Sequence, residues 1–113
     1  MAGPGEKPGR LKKRAEFLAV AGRGRKYARG ALLVQVLPHD ASLRLGFTAT
    51  KKLGNAVVRN RAKRRMRAAA RLELAAVGGQ DIVLVAREAI RANSFEALRA
   101  DLRAALDKLC VSR

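Results

Sequence analysis

The alternation of apolar and polar positions predicts two strands in the first half of the chain. Residues 31–37 are rich in Leu and Val, which is typical of a strand. After a turn at residues 38–41, every second residue is apolar, which predicts a half-buried strand with one polar face; the apolar positions are Leu43, Leu45, Phe47 and Ala49. If the turn makes these two strands neighbours, Gln35 lies opposite Arg44 on the polar face.

Two helices are predicted on either side of these strands. A short helix is expected at residues 13–21, and a charged loop at residues 22–26 ends it. A longer helix is expected at residues 56–74, because its apolar residues recur at helical spacing and Asn55 can cap its first turn.

The last third of the chain predicts one more strand and one more helix. The continuous apolar run at residues 82–86 is typical of a strand buried on both faces. Asn93 and Glu96 resemble a capping box, and they precede a helix whose core stripe is Phe95, Leu98, Leu102, Leu106 and Leu109. The order α-β-β-α-β-α predicts an α+β fold, with helices packed on one central, mostly antiparallel sheet. Residues 10–113 are expected to form a single domain, and the Gly- and Pro-rich residues 1–9 a flexible tail.

Composition narrows the classes of function. The 113 residues include 25 Lys or Arg and 9 Asp or Glu, for a formal charge of +16. A single Cys excludes an internal disulfide and a clustered zinc site, and few His and acidic residues leave little material for acid–base catalysis. No apolar run approaches the roughly 20 residues of a membrane span, and no secretory segment is recognisable. We therefore expect a small, cytoplasmic, strongly basic protein that binds a polyanion and no membrane.

The positive charge is unevenly distributed along the chain. Residues 41–71 contain ten basic residues and no acid, whereas residues 72–113 contain six of each sign. On the long predicted helix, one side carries Asn60, Lys63, Arg64, Arg67 and Arg71, with Arg59 and Arg61 flanking it. Arg65 falls within the apolar stripe and needs either a path to solvent or an acidic partner. A basic run with no interleaved acid favours nucleic-acid binding over a merely solvated surface.

The segment from Lys51 to Arg67, KKLGNAVVRNRAKRRMR, resembles the signature of the bacterial ribonuclease P protein component. The flanking segments agree in order, since Arg10 to Lys13 leads into the first helix, Leu43 to Phe47 precedes the signature and Asp81 to Arg87 follows it. The resemblance spans about residues 10–109. It implies a fold with an unusual left-handed β-α-β crossover.

The resemblance also implies a division of labour. Proteins of this family assist a catalytic RNA that removes the 5′ leader of precursor tRNA by hydrolysis that depends on Mg²⁺, which the RNA largely binds. The protein then contributes no catalytic residue and no metal ligand, and it needs no obligate protein partner. Its partners are the catalytic RNA and precursor tRNA.

Two groups of residues are implicated in RNA binding. Family resemblance and the local pattern of charge assign contact with the catalytic RNA to Lys51, Lys52, Asn55, Arg59, Asn60, Arg61, Lys63, Arg64, Arg67 and Arg71. A leader cleft between the first helix and the sheet is assigned Arg10, Lys12, Phe17, Gln35, Arg44 and Thr48. The family often has aromatic residues where Ala21 and Gln35 stand in this chain, so hydrogen bonds and phosphate contacts are expected to replace some base stacking.

Several alternatives remain open at this point. Phe17 can be a core residue or a platform for a base. Asp81 and Glu73 can touch a metal, although capping or ion pairing is the better interpretation. A ribosomal or other structural RNA-binding protein shares the charge but not the ordered signature. A protein-only nuclease needs a carboxylate cluster, and residues 41–72 contain no acid.

Overall fold

The computed structural model describes residues 9–38, 42–75 and 77–111. In this part of the chain, a five-stranded sheet has helices on both faces. The strands are β1 (Gly9–Arg10), β2 (Arg25–Arg29), β3 (Leu32–Pro38), β4 (Arg44–Thr48) and β5 (Gln80–Ala86). The helices are α1 (Arg14–Arg23), α2 (Ala56–Glu73) and α3 (Phe95–Lys108), and 3₁₀ turns cover Lys51–Leu53 and Glu88–Arg91.

The sheet has the strand order β1-β4-β5-β3-β2. β3 pairs antiparallel with both β2 and β5, whereas β4 pairs parallel with both β1 and β5. The α+β class is confirmed, and the sheet is mixed, with two antiparallel and two parallel strand pairings. The parallel unit β4-α2-β5 is the crossover that carries the basic helix.

The prediction that β3 and β4 are adjacent in the sheet is wrong, because β5 lies between them. Gln35 pairs with Val83 and Arg44 pairs with Asp81, so Gln35 and Arg44 are not opposite each other. The physical reason lies in the sequence of β5. A continuous apolar strand is most stable at the centre of the sheet, where both of its faces are covered.

The loop expected at residues 22–26 is shorter than predicted, since β2 begins at Arg25. β2 is an edge strand whose Tyr27 packs against the main core, while its other residues are exposed. Charged side chains on such an edge discourage pairing with another chain. Gly24 makes the tight junction possible, because a Cβ there would lie 2.5 Å from the Val20 carbonyl oxygen and 2.6 Å from that of Val36.

The main core lies between the sheet and the pair α2 and α3. The α2 residues Ala62, Met66, Ala69 and Ala70 are buried there, as are Leu98, Leu102, Ala105 and Leu106 of α3. A smaller core on the opposite face contains Leu11, Val20 and Val83 beneath α1. The helical stripes predicted from the sequence are therefore confirmed as core positions.

One of the two predicted helix caps is confirmed, and the other lies one residue later in the chain than predicted. Asn55 caps α2, since its side-chain oxygen accepts the backbone N–H of Val58 at 3.0 Å. The cap of α3 is Ser94, which accepts the N–H of Ala97 at 3.1 Å, rather than the predicted Asn93. The side chain of Asn93 instead reaches Asp101.

Some predictions fall outside the described residues, namely most of the turn at 38–41 and the tail apart from Gly9. Gly9 itself pairs with β4 in the sheet. Among the described helices, none is both long enough and apolar enough to span a membrane.

Candidate nucleic-acid interface

The basic side of α2 faces away from the core. Asn60, Arg61, Arg64 and Arg71 are exposed, and Arg59, Lys63 and Arg67 are half-buried along the flanks. No acidic residue lies on α2 before its last residue, Glu73. Within the described ranges, no side-chain hydrogen bond or ion pair is found for these basic residues. Their mutual repulsion is therefore not offset by the described protein groups, which makes this side of α2 suited to an anionic partner.

Two of these arginines are held at the edge of the core. The guanidinium carbon of Arg67 lies 5.4 Å from the centre of the Phe47 ring, a cation–π contact with β4. The Nε atoms of Arg59 and Arg67 are buried without a hydrogen-bond partner in the protein. The stem of Arg67 is thus anchored by packing, and the base of the Arg59 guanidinium is shielded from solvent.

Arg65 has a different role. Its guanidinium donates hydrogen bonds to the backbone carbonyls of Ile90 and Asn93, at the end of the second 3₁₀ turn. Neither expected solution holds alone, because Arg65 is only half-exposed and these hydrogen-bond partners are carbonyls rather than an acid. Backbone carbonyls that a short helical turn leaves unpaired satisfy the charge instead.

The two arginines of α3 form ion pairs within the protein. The carboxylate of Glu73 accepts Arg99 at 2.8 Å and Arg103 at 3.1 Å, and the Glu73 side chain is 8% exposed. This interaction joins the end of α2 to α3. The expected ion pairing of Glu73 is confirmed, and the contrast with the uncompensated side of α2 makes the latter the candidate nucleic-acid surface.

Lys51 and Lys52 extend the same surface at the start of α2. Both are exposed on the first 3₁₀ turn, and Gly54 follows with φ of 157°. A Cβ at Gly54 would lie 3.0 Å from the side chain of Val58, so the tight entry into α2 requires glycine. The side chain of Asn55 caps α2, so its oxygen is already bonded within the protein. Lys51 and Lys52 supply the charge at this end of the helix.

On the other face of the sheet, α1 leaves a partly exposed surface beside it, which is the groove beside α1. α1 begins over β4, where Phe17 packs on Gly46, and ends beside β3 at Gly24. A Cβ at Gly46 would lie 2.5 Å from the Phe17 ring. Next to α1, one row of paired residues crosses the sheet and forms the groove floor: Thr48, Val85, Leu33 and Ala28.

The structure distributes the predicted cleft residues unevenly. Thr48 and Phe17 are half-buried at the groove, and Phe17 also packs against the small core under α1. Gln35 is only 8% exposed, in the row that α1 covers. Arg10 and Lys12 are exposed near the β1 edge. Sequence reasoning missed Leu33 and Val85, since their accessibility depends on which part of the sheet α1 leaves open.

The guanidinium group of Arg44 forms ion pairs with two carboxylates. Its Nε and Nη2 atoms donate to Asp81 at 2.8 and 2.7 Å, and its Nη1 atom donates to Glu16 at 2.7 Å. The other oxygen of Glu16 accepts the backbone N–H groups of Lys12 and Lys13, each at 3.0 Å. Arg44 therefore fixes the start of α1 to the sheet, and the expected ion pairing of Asp81 is confirmed.

The pH dependence of this contact follows from Glu16. The backbone N–H groups of Lys13 and Lys12, followed by the charge of Arg44, lower the pKa of Glu16 below its usual value. The unfolded chain then takes up the proton at higher pH than the folded protein. The contribution of Glu16 to stability is complete above the ordinary glutamate pKa of about 4.3 and is lost as the pH falls through the lowered folded pKa.

We therefore expect Glu16→Gln to reduce the stability of the protein at neutral pH and to flatten its decline in acid. Thermal unfolding of both proteins between about pH 3 and pH 7 measures this difference. Glu96→Gln is a matched control, because Glu96 is exposed and makes only a 3.9 Å contact with Arg99. Equal pH profiles for Glu16→Gln and the parent protein would show that the contact is irrelevant to stability.

The described carboxylates do not form a metal centre. In residues 9–38, 42–75 and 77–111, no group of three or more His, Cys, Asp or Glu is placed to hold a metal ion. Glu16, Asp81 and Glu73 each contact a guanidinium group. The donor set of the described chain thus does not fit a Mg²⁺ site.

Comparison with protein families gives a match over almost the whole chain. The family model for ribonuclease P matches residues 6–110. A ribonuclease P protein component from Gluconacetobacter diazotrophicus is 52% identical over 103 residues, covering 88% of this chain and 89% of that protein. One from Ruegeria pomeroyi is 49% identical over 106 residues, covering 88% and 84%.

Solved structures agree with these sequence matches. The ribonuclease P protein of Staphylococcus aureus superposes with a TM-score of 0.79 at 29% identity, covering 90% of this chain and 95% of the other. That of Thermotoga maritima gives a TM-score of 0.74 at 28% identity, covering 88% and 94%. The mixed sheet and three helices are therefore the architecture of these proteins.

Proposed function

This chain belongs to the ribonuclease P protein family, and we propose that it is the subunit that binds the catalytic RNA and the 5′ leader of precursor tRNA. Removal of the leader then gives the mature 5′ end of the tRNA. The observation that carries the proposal is the uncompensated basic side of α2, on a protein that pairs Arg44, Arg99 and Arg103 with its own carboxylates.

The side of α2 that holds Arg64 and Arg67 is the proposed contact with the catalytic RNA. Arginine offers a planar fork of donors for phosphate oxygens, and several such contacts make binding strongly dependent on salt. Lys51 and Lys52 extend this contact beyond the first turn of the helix. Because no described acid stands within the surface, the RNA backbone can approach it without like-charge repulsion.

The groove beside α1 is the proposed site for the leader. Its floor is mostly apolar, with Thr48 as a hydrogen-bonding group and Phe17 beside it on α1. Such a surface binds single-stranded RNA by contact with base faces, while nearby cations hold the phosphates. The low exposure of Gln35 makes Thr48 the stronger candidate for direct contact.

The chemistry of cleavage is assigned to the RNA subunit. Mg²⁺ supplies charge stabilisation and an activated water in such hydrolyses, and in this proposal the RNA largely holds it. The protein's own work is to bind and orient the leader. We further propose that the protein and the catalytic RNA assemble in the cytoplasm and that no other protein subunit is required.

A purely structural RNA-binding role is the alternative, and it predicts no preference for precursor over mature tRNA.

We expect Thr48→Glu to weaken binding of precursor tRNA to the assembled enzyme by several-fold and to leave binding of mature tRNA unchanged. A carboxylate on the groove floor repels the leader phosphates, and mature tRNA has no leader to repel. A lost contact of about 1 kcal/mol corresponds to roughly a fivefold change. Equilibrium binding of both tRNAs to the holoenzyme measures the difference.

Ala100→Glu is the matched control, since it adds the same charge at an exposed position of α3. It is expected to change neither affinity. Equal losses for precursor and mature tRNA with Thr48→Glu would place the leader elsewhere. Gln35→Glu is a poorer test, because burial of a charge under α1 also destabilises the fold.

A further inference from the structure

A pocket of about 160 Å³ lies between α2 and the second 3₁₀ turn, away from the groove beside α1. Its lining combines apolar side chains with three arginines: Val58, Arg61, Ala62, Arg65, Ile90 and Arg91. A cavity of about 150 Å³ is large enough to hold a benzene molecule, so a single aromatic ring fits this volume. No acidic residue lines the pocket.

Two of the three arginines are fixed in place by backbone carbonyls. Arg65 donates to the carbonyls of Ile90 and Asn93, and Arg91 donates to that of Leu53 at 3.2 Å. These bonds hold the two side chains in place, and Arg91 also lies 4.0 Å from the exposed carboxylate of Glu88. Arg61, in contrast, is exposed, and no described acid or carbonyl holds its guanidinium.

This combination selects one class of ligand. An apolar floor made by Val58, Ala62 and Ile90 favours a flat ring rather than a bare anion, because a fully hydrated ion gains nothing from apolar contact. Guanidinium planes stack on nucleobases, and a mobile arginine at the rim can follow a phosphate. A nucleotide unites both requirements in a single ligand.

We propose that this pocket receives the base of one unpaired nucleotide of the catalytic RNA, with Arg61 on the adjoining phosphate. This inference rests on the proposed function, because the pocket is continuous with the basic side of α2 through Arg61 and Arg64. It adds a site that reads the shape of the RNA, whereas the remaining contacts on α2 recognise only its charge.

The test uses the full-length protein assembled with the catalytic RNA. Val58→Phe fills the pocket without a change in charge, Arg61→Ala removes the proposed phosphate contact, and Arg64→Ala is the matched control outside the pocket. Chemical probing of the RNA with dimethyl sulfate and a carbodiimide reads the exposed edges of unpaired bases. Titrations at several salt concentrations give the affinity and its salt slope.

The parent protein is expected to protect one unpaired base that becomes reactive again with Val58→Phe. The affinity for the RNA falls about tenfold in that variant, on the scale of one stacked base, with no change in the salt slope. Arg61→Ala exposes the same base and also lowers the slope by about 0.7. Arg64→Ala lowers the slope but leaves that base protected.

Circular dichroism shows whether Val58→Phe folds, because Val58 also touches the entry to α2. If it does not fold, the comparison of Arg61→Ala with Arg64→Ala decides the question, since both residues are exposed. Identical base protection in these two variants overturns the pocket proposal, as does an unchanged footprint with folded Val58→Phe. A parent protein that leaves no footprint on the catalytic RNA contradicts the proposed function itself.

Discussion

Replacement of Arg64 and Arg67 by Ala is expected to weaken assembly with the catalytic RNA and to flatten its salt dependence. Each phosphate contact that is lost lowers the slope of log affinity against log salt by about 0.7 to 0.9, so the pair removes roughly 1.5. Arg67 also packs on Phe47, and circular dichroism must first show that the variant is folded. Filter binding or fluorescence titration at several salt concentrations measures the effect.

Arg99 and Arg103 provide the control for this experiment, because both already contact Glu73. Their replacement is expected to leave RNA affinity and salt slope unchanged. Stability falls by about 2 kcal/mol, since the nearly buried carboxylate of Glu73 loses its partners. Arg103→Ala alone keeps Arg99 on Glu73 and avoids most of this loss. Equal salt slopes for the α2 and α3 variants, or greater damage from the α3 pair, would contradict the assignment of the α2 surface.

Gly46→Ala is expected to disturb the groove more than any other single methyl group added to the sheet. The new Cβ would lie 2.5 Å from the Phe17 ring and 3.2 Å from Leu11, so α1 or the ring must move. Overpacking of this kind costs about 1 to 3 kcal/mol. Thermal unfolding measures the loss of stability, and binding of precursor against mature tRNA measures the loss of leader selectivity.

Gly22→Ala adds the same methyl group to α1 with nothing within 4 Å of it. Since alanine is favoured over glycine in a helix, this variant is expected to be more stable by about 0.5 to 1 kcal/mol, with unchanged RNA binding. If Gly46→Ala were as stable and as selective as Gly22→Ala, the close packing of Phe17 on the sheet would play no part in the site.

Local patterns in the sequence predict much of this fold. Helical spacing identifies the buried residues of α2 and α3, since one apolar stripe suffices to define the packed face. The apolar run of β5 identifies a strand covered on both faces. The signature segment identifies α2 as the basic helix, and its uncompensated charge follows from the absence of acids.

The same local patterns do not predict which distant segments pair with each other. The position of β5 between β3 and β4 depends on burial of the whole sheet rather than on the turn between those strands. The edge strand β2 escapes prediction because it contributes only one residue, Tyr27, to the core. The contacts of Arg44 with Asp81 and Glu16 depend on this topology as well, so an arginine predicted to bind RNA proves to hold α1 in place.

The division of labour between protein and RNA is tested most directly by incubation of purified protein with precursor tRNA and Mg²⁺, with and without the catalytic RNA. We predict no cleavage by the protein alone, because its described carboxylates form no metal centre and Glu16, Asp81 and Glu73 are bound to arginines. With the catalytic RNA at low Mg²⁺, the protein is expected to increase the rate at which the mature 5′ end forms. Formation of that end by RNA-free protein would contradict the account.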